Sequence, residues 1–253
     1  MDKFLFPAQY RTIVALACGF LFFGMPLLAQ EYPLHAPDGG TRETVQSITI
    51  LPSPNAPFSA VVVTVLTKVL PDGSQQIVKN HRTVARDSSG RVFQERRYFS
   101  PTGDTQPTRI SQLEYQDPNR HELYVCLPVK RTCEVYKSYR PTTVVLQPAG
   151  KLPNGAGTLT REDLGHKTIE DLDVVGSRET TTIDAGVVGN EKPLSIVKDF
   201  WYSPHLGINV TTTRFDPRVS SLQSFVVENI NLSEPDPKIF EPPADYRMIK
   251  MDE

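Results

Sequence analysis

The sequence is poor in the residues that announce chemistry. It has three cysteines, one tryptophan and five histidines in 253 residues. The histidines, His35, His81, His121, His166 and His205, are scattered without metal-ligand spacing. There is no Gly-x-Ser-x-Gly elbow, no His-Glu-x-x-His and no phosphate loop. The familiar hydrolase, zinc-protease and nucleotide chemistries have no anchor here, and no cofactor or metal is implied. Charge of one sign is missing too: 27 Lys and Arg against 29 Asp and Glu leave a formal net charge of -2. That balance supplies no basic field for nucleic acid and no polybasic tail for a membrane surface.

What is present begins with MDKFLFPAQYRTIVALACGFLFFGMPLLAQ. Lys3 and Arg11 precede an apolar run from Ile13 to Leu28, and Leu27-Leu28-Ala29 closes it, the order of an export signal cleaved after residue 29. A retained anchor is the alternative, but the run falls short of the about 20 apolar residues a span needs and contains Gly19, Gly24 and Pro26. Acylation at Cys18 is a third reading, opposed by the apolar Phe20 to Phe23 that follows it. With the signal removed, the chain is periplasmic or secreted and has no transmembrane anchor. About 220 residues remain, enough for a substantial core.

Two cysteines then remain, Cys126 and Cys133, in HELYVCLPVKRTCEVYKS. A turn through Pro128 to Arg131 sets Leu127 opposite Thr132, Cys126 opposite Cys133, Tyr124 opposite Val135 and Glu122 opposite Lys137. The last three are favourable cross-strand pairs, and directly opposed cysteines can be bridged. The spacing predicts a structural disulfide; a redox pair normally separates its cysteines by two residues.

Along the chain, residues 30–57 form an irregular proline-rich segment with one candidate strand at Val45 to Leu51, and a single antiparallel β domain is expected over 58–253. β-branched runs broken by PDGS and SSG predict three strands from Ser59 to Ser100, and RISQLEYQD-PNR-HELYVCLP predicts a further hairpin. Residues 140–157, rich in Pro and Gly, form a lid or a seam. Thr160 to Gly165 is expected as one capped helical turn, followed by two short strands turning near Val175-Gly176. In DFWYSPHLGINVTTTRFDP, a turn at Pro204 to Gly207 sets Trp201 opposite Val210, and Val210 falls opposite Val227. Trp201, Val210 and Val227 thus make a sheet-packing row, with His205 at the loop tip. The tail lies extended over a sheet edge, anchored by Ile239, Phe240 and Tyr246.

Two clusters invite a functional reading. Glu162, Asp163, Glu170, Asp171 and Asp173 suggest calcium, but without the alternating acidic loop and closing glutamate a solvated face is preferred. Arg86, Arg91 and Arg96, with Asp87 and Glu95 around the SSG turn, form a candidate interaction patch, against which stands a set of exposed hairpin ion pairs.

Three stretches, ARDSSGRVFQE, the span from Thr180 to Arg218, and NINLSEPDPKIFEPPADY, resemble a family of uncharacterised exported bacterial proteins. The tryptophan strand, its turn and the tail with Phe240 and Pro242-Pro243 are similar, more distantly, to periplasmic lipoprotein carriers and sigma-E regulator proteins. The resemblance implies a mainly β fold: a strongly curved antiparallel meander sheet, an open half-barrel with short helical turns, following the signal helix. It also implies a concave apolar face. The expected function is non-enzymatic binding or carriage of an apolar ligand, a lipid or an acylated protein; the alternative is an envelope protein-protein interaction or sensing module. Neither reading involves nucleic acid.

Overall fold

In the computed structural model, the structure describes residues 48–137 and 146–251. The expected signal at 1–29, the first part of the proline-rich segment and residues 140–145 of the expected lid at 140–157 lie outside these residues; the described part of that segment holds a short strand at Gly150–Lys151 and a 3-10 turn at Pro153–Gly155. The described chain is almost all strand. β1 (Phe58–Val69), β2 (Gln75–Arg86), β3 (Val92–Arg97), β4 (Ile110–Asp117), β5 (Glu122–Leu127) and β6 (Thr132–Tyr136) come first. Then follow β7 (Gly150–Lys151), β8 (Gly157–Ile169), β9 (Leu172–Ile183), β10 (Leu194–Ser203), β11 (Ile208–Asp216), β12 (Ser221–Asn231) and β13 (Arg247–Met251).

They form one open sheet in the order β13-β6-β5-β4-β3-β2-β1-β12-β11-β10-β9-β8-β7, antiparallel throughout except for the β13–β6 pair. The order itself requires curvature. β6 and β7 stand eleven strand intervals apart, about 53 Å on a flat sheet. The chain from Tyr136 to Gly150 reaches about 48 Å at full extension. The sheet must therefore curl, as the sequence resemblance implied.

Local chemistry sets the turns. Gly73 and Gly90 adopt φ of +82° and +89° in the PDGS and SSG turns, where a side chain would be strained. The cysteine hairpin has the expected register, with Leu127 opposite Thr132, Cys126 opposite Cys133 and Tyr124 opposite Val135. Glu122 and Lys137 form an ion pair at its open end.

The structure corrects four local expectations. Thr160 to Gly165 is not a helical turn but part of β8, and β8 and β9 make one long hairpin turning at Glu170-Asp171, both at positive φ, rather than near Val175-Gly176. Cross-strand pairing outweighs the local capping pattern: Arg161 faces Glu179 and Glu162 faces Arg178, while Gly165 at φ +79° absorbs a bulge. Trp201 pairs with Thr211, not Val210, because the register shifts between Trp201 and Tyr202. Ile48 to Leu51, the described part of the expected first strand, is irregular, yet Ile48 and Ile50 are buried.

Two apolar clusters hold the sheet. The larger joins Phe58, Ala60 and Val62 of β1 to Val84, Val92, Ile208, Val210, Phe225 and Val227, with Ile48 and Ile50 laid against them. Each fully buried Phe or Val there contributes about 2 kcal/mol. The second gathers Ala85, Phe93, Tyr115 and the two cysteines under Phe240, with Ile239 and Tyr246 beside it. The tail thus has the expected anchors; after a short 3-10 turn at Pro237–Phe240 it continues as β13.

Candidate functional site

The arginine patch does not form. Arg86 pairs with Phe58 across β1 and β2 and so points to the core side of the sheet. It is 0 % exposed. Its guanidinium donates from Nε to the Ala56 carbonyl at 2.9 Å, from Nη1 to Leu51 at 3.0 Å and from Nη2 to Leu206 at 2.6 Å. It also lies over the Phe58 ring, 5.1 Å from the centroid. Burial pulls its pKa down to about 10. Arg96 is bidentate on Glu114 at 3.0 and 3.1 Å. Arg91 is held by Asp87 at 2.6 Å but remains half-buried at the surface. The alternation of Val62, Val84 and Arg86 carried this signal in the sequence, since Arg86 is in phase with Val84.

Beside the larger core runs a buried polar ladder that sequence reasoning missed. Arg82 Nη1 donates to Gln94 Oε1 at 3.2 Å and Nη2 to the Ile48 carbonyl at 3.2 Å. Gln94 in turn reaches Glu114, which also accepts from Gln112 and Arg96. Burial, reinforced by Arg96, lowers the Arg82 pKa to about 9. One row further along the same strands, Asn80, Thr64, Phe225, Thr212 and Phe200 are directly opposed in succession. Asn80 Oδ1 and Thr212 Oγ1 are buried there without a hydrogen-bond partner among the described residues.

Other expected residues are placed plainly. Cys126 and Cys133 are joined in a disulfide and fully buried. Trp201 packs at the edge of the larger core with Lys167 Nζ 3.6 Å above its ring and Gly176 against the ring. Val210 and Val227 lie within that core, so the three residues share a cluster although Trp201 and Val210 are not opposed. His205 is exposed in its turn. In the acidic cluster, Asp163 accepts the Gly165 N–H and Glu170 the Asn229 N–H, each at the hairpin's own backbone or its neighbour's.

On the opposite side of the sheet from Val62 and Val84, an apolar row is open to solvent. Ile77, Thr67, Leu222, Phe215 and Val197 are opposed in sequence across β2, β1, β12, β11 and β10. Ile77, Leu222 and Phe215 are 40, 46 and 45 % exposed, and Val69 lies two residues from Thr67 on the same face. The next row contains Lys79 and Asp199, which are neutralised by Asp104 at 2.7 Å and Arg178 at 2.7 Å.

No family model matches the chain, and no curated protein does either. Solved structures are similar in fold at low identity. An uncharacterised conserved protein from Thermus thermophilus has 8 % identity, covering 78 % of this chain and 91 % of its own, with a TM-score of 0.40. A LolA superfamily protein from Nitrosomonas europaea has 15 % identity, 76 % and 92 % coverage, and a TM-score of 0.30. The MucA/MucB complex structure from Pseudomonas aeruginosa includes a chain with 11 % identity, 76 % and 59 % coverage, and a TM-score of 0.35. These likenesses concern the outline of the fold alone.

Proposed function

We propose that the chain is an exported, non-enzymatic binding protein that holds the apolar part of a lipid or an acylated protein against its curved sheet. The observation that carries this is the exposed row of Ile77, Leu222 and Phe215, continued by Val69. Contiguous apolar side chains on a sheet face are costly to leave in water and mark interaction surfaces. Lys79 and Asp199 in the adjoining row are already paired, so an apolar ligand does not meet these two as open charges. Strand addition by a protein partner is less favoured. The outer edge of β8 carries Arg161, Glu162, Asp163 and Lys167 and a bulge at Gly165, features that discourage edge pairing.

The test is binding of cis-parinaric acid, a fluorescent fatty acid, to protein stripped of bound lipid. Replacing both Phe215 and Leu222 by Glu, at positions already half in solvent, should weaken binding at least tenfold while leaving the far-ultraviolet spectrum unchanged. Equal binding by the double variant would remove this surface from the proposal. Recovery of the protein from a periplasmic fraction, with its terminus sequenced, checks the export step.

A further inference from the structure

A second site lies where the tail crosses the sheet. A cleft of about 280 Å³ is lined by Tyr115 and Tyr124 of β4 and β5, by Phe240, Glu241 and Pro242 of the tail, and by Arg91, Asp117 and Arg120. Tyr115 and Tyr124 are directly opposed, so their rings share one face of the sheet. Burial, with Tyr246 and Glu95 nearby, pushes the Tyr115 pKa up to about 12 and keeps that ring neutral. The volume is at the small end for ligand pockets and suits a ring system rather than a long chain.

Open hydrogen-bond donors decide the kind of ring. Arg91 lies over Phe240, 5.0 Å from the centroid, and only its Nε is engaged, by Asp87. Its two terminal nitrogens have no partner among the described residues. Arg120 has a side chain 66 % exposed and makes long contacts to Glu122, 3.2 and 3.5 Å. Glu122 is shared with the Tyr124 hydroxyl and Lys137, so Arg120 is weakly held. Of the two carboxylates at the cleft, Asp117 has Oδ1 committed to the Asn119 and Arg120 N–H groups, and Glu241 is exposed to solvent. Two guanidiniums with open donors beside an aromatic wall match a flat ring bearing a carboxylate, bound by charge-assisted hydrogen bonds and stacking.

We propose that this cleft binds a small planar aromatic carboxylate, its anion taken by Arg91 and Arg120 and its ring set against Tyr124 and Phe240. The site is separate from the exposed row on β2, β1, β12 and β11.

Calorimetric titration of the intact exported chain with 2-naphthoate and with 2-naphthamide tests it, since the two probes share a ring and differ in charge. The expected result is one site, with naphthoate at least tenfold tighter than the amide. Arg120→Met, at an exposed side chain, should bring naphthoate close to the amide, and Tyr124→Leu should weaken both. Equal binding of the two probes, binding of neither, or an unchanged ratio in Arg120→Met overturns the proposal. The Phe215→Glu/Leu222→Glu variant should bind naphthoate normally even where it no longer binds parinaric acid; loss of both would show one shared surface and overturn a separate site.

Discussion

Arg86 Nη2 donates to the Leu206 carbonyl at 2.6 Å, tying β2 to the β10–β11 turn across 120 residues of sequence. The same guanidinium holds Leu51 and Ala56, so one side chain fastens three separated segments. Arg86→Met leaves three carbonyls without their donor and should cost about 3 kcal/mol. Arg86→Lys, with a point charge in place of a fork, should recover less than half of that. Urea unfolding checks both, through a lowered midpoint at constant slope.

The Cys126–Cys133 bridge closes a loop with a sequence separation of 7. On the chain-entropy account, its loss costs about 2.5 kcal/mol. A Cys126→Ala/Cys133→Ala variant should therefore fold with a lower melting temperature, and scanning calorimetry measures the difference. Failure of that variant to fold would mean that the hairpin organises much more than its own turn.

Gly176 lies under Trp201. A Cβ there would come within 2.6 Å of the indole ring and 2.8 Å of Leu164 Cβ. Gly176→Ala must displace the ring, at about 1 to 3 kcal/mol for overpacking. As Trp201 is the only tryptophan, its emission should shift to the red as it moves away from the core and from Lys167. An unchanged spectrum with unchanged stability would show that the strand yields instead.

Acid should unfold the protein through a few paired carboxylates. Hydrogen bonds from Arg218 hold Asp216 below the usual 3.8 against the opposing effect of burial. For Asp87 and Glu95, burial pushes upward, but bonds from Ser89 and Arg91, and from Arg97 and Thr83, bring the net shift below 3.8 and 4.5. Depressed folded values mean that this stability is complete above the unfolded values and is lost as pH falls through the folded ones. Stability should be level above about pH 5 and decline below pH 4. Asp216→Asn should flatten that decline, as measured by unfolding at a series of pH values.

The cysteine hairpin was legible because three of its facing pairs are complementary, Cys126 with Cys133, Tyr124 with Val135 and Glu122 with Lys137, so a single register satisfies sulfur, aromatic and charge together. Trp201 was placed in the right element but one residue out of register, since the shift beside Tyr202 leaves no mark in composition. Thr160 to Gly165 carried a cap and a glycine, yet its partners Gly176 to Thr180 lie in β9, beyond the reach of local propensity. Arg86 misled by residue type: an arginine beside a turn suggests surface, whereas its phase with Val84 placed it inside. The apolar row was hidden for a different reason. Leu222 and Phe215 meet in the β11–β12 hairpin, but Ile77 joins their row only through the pairing of β1 with β12.

That pairing also has a temporal consequence. On either side of it the sheet grows by hairpins between strands adjacent in sequence, β1 through β6 in one direction and β12 back through β7 in the other. Val62 meets Val227 across roughly two thirds of the polypeptide, a closure with a large entropic barrier and no local contact to guide it. Each half can zip up early, and the joint between them, sealed by the Arg86 bonds, should set the pace at which a newly made chain becomes native.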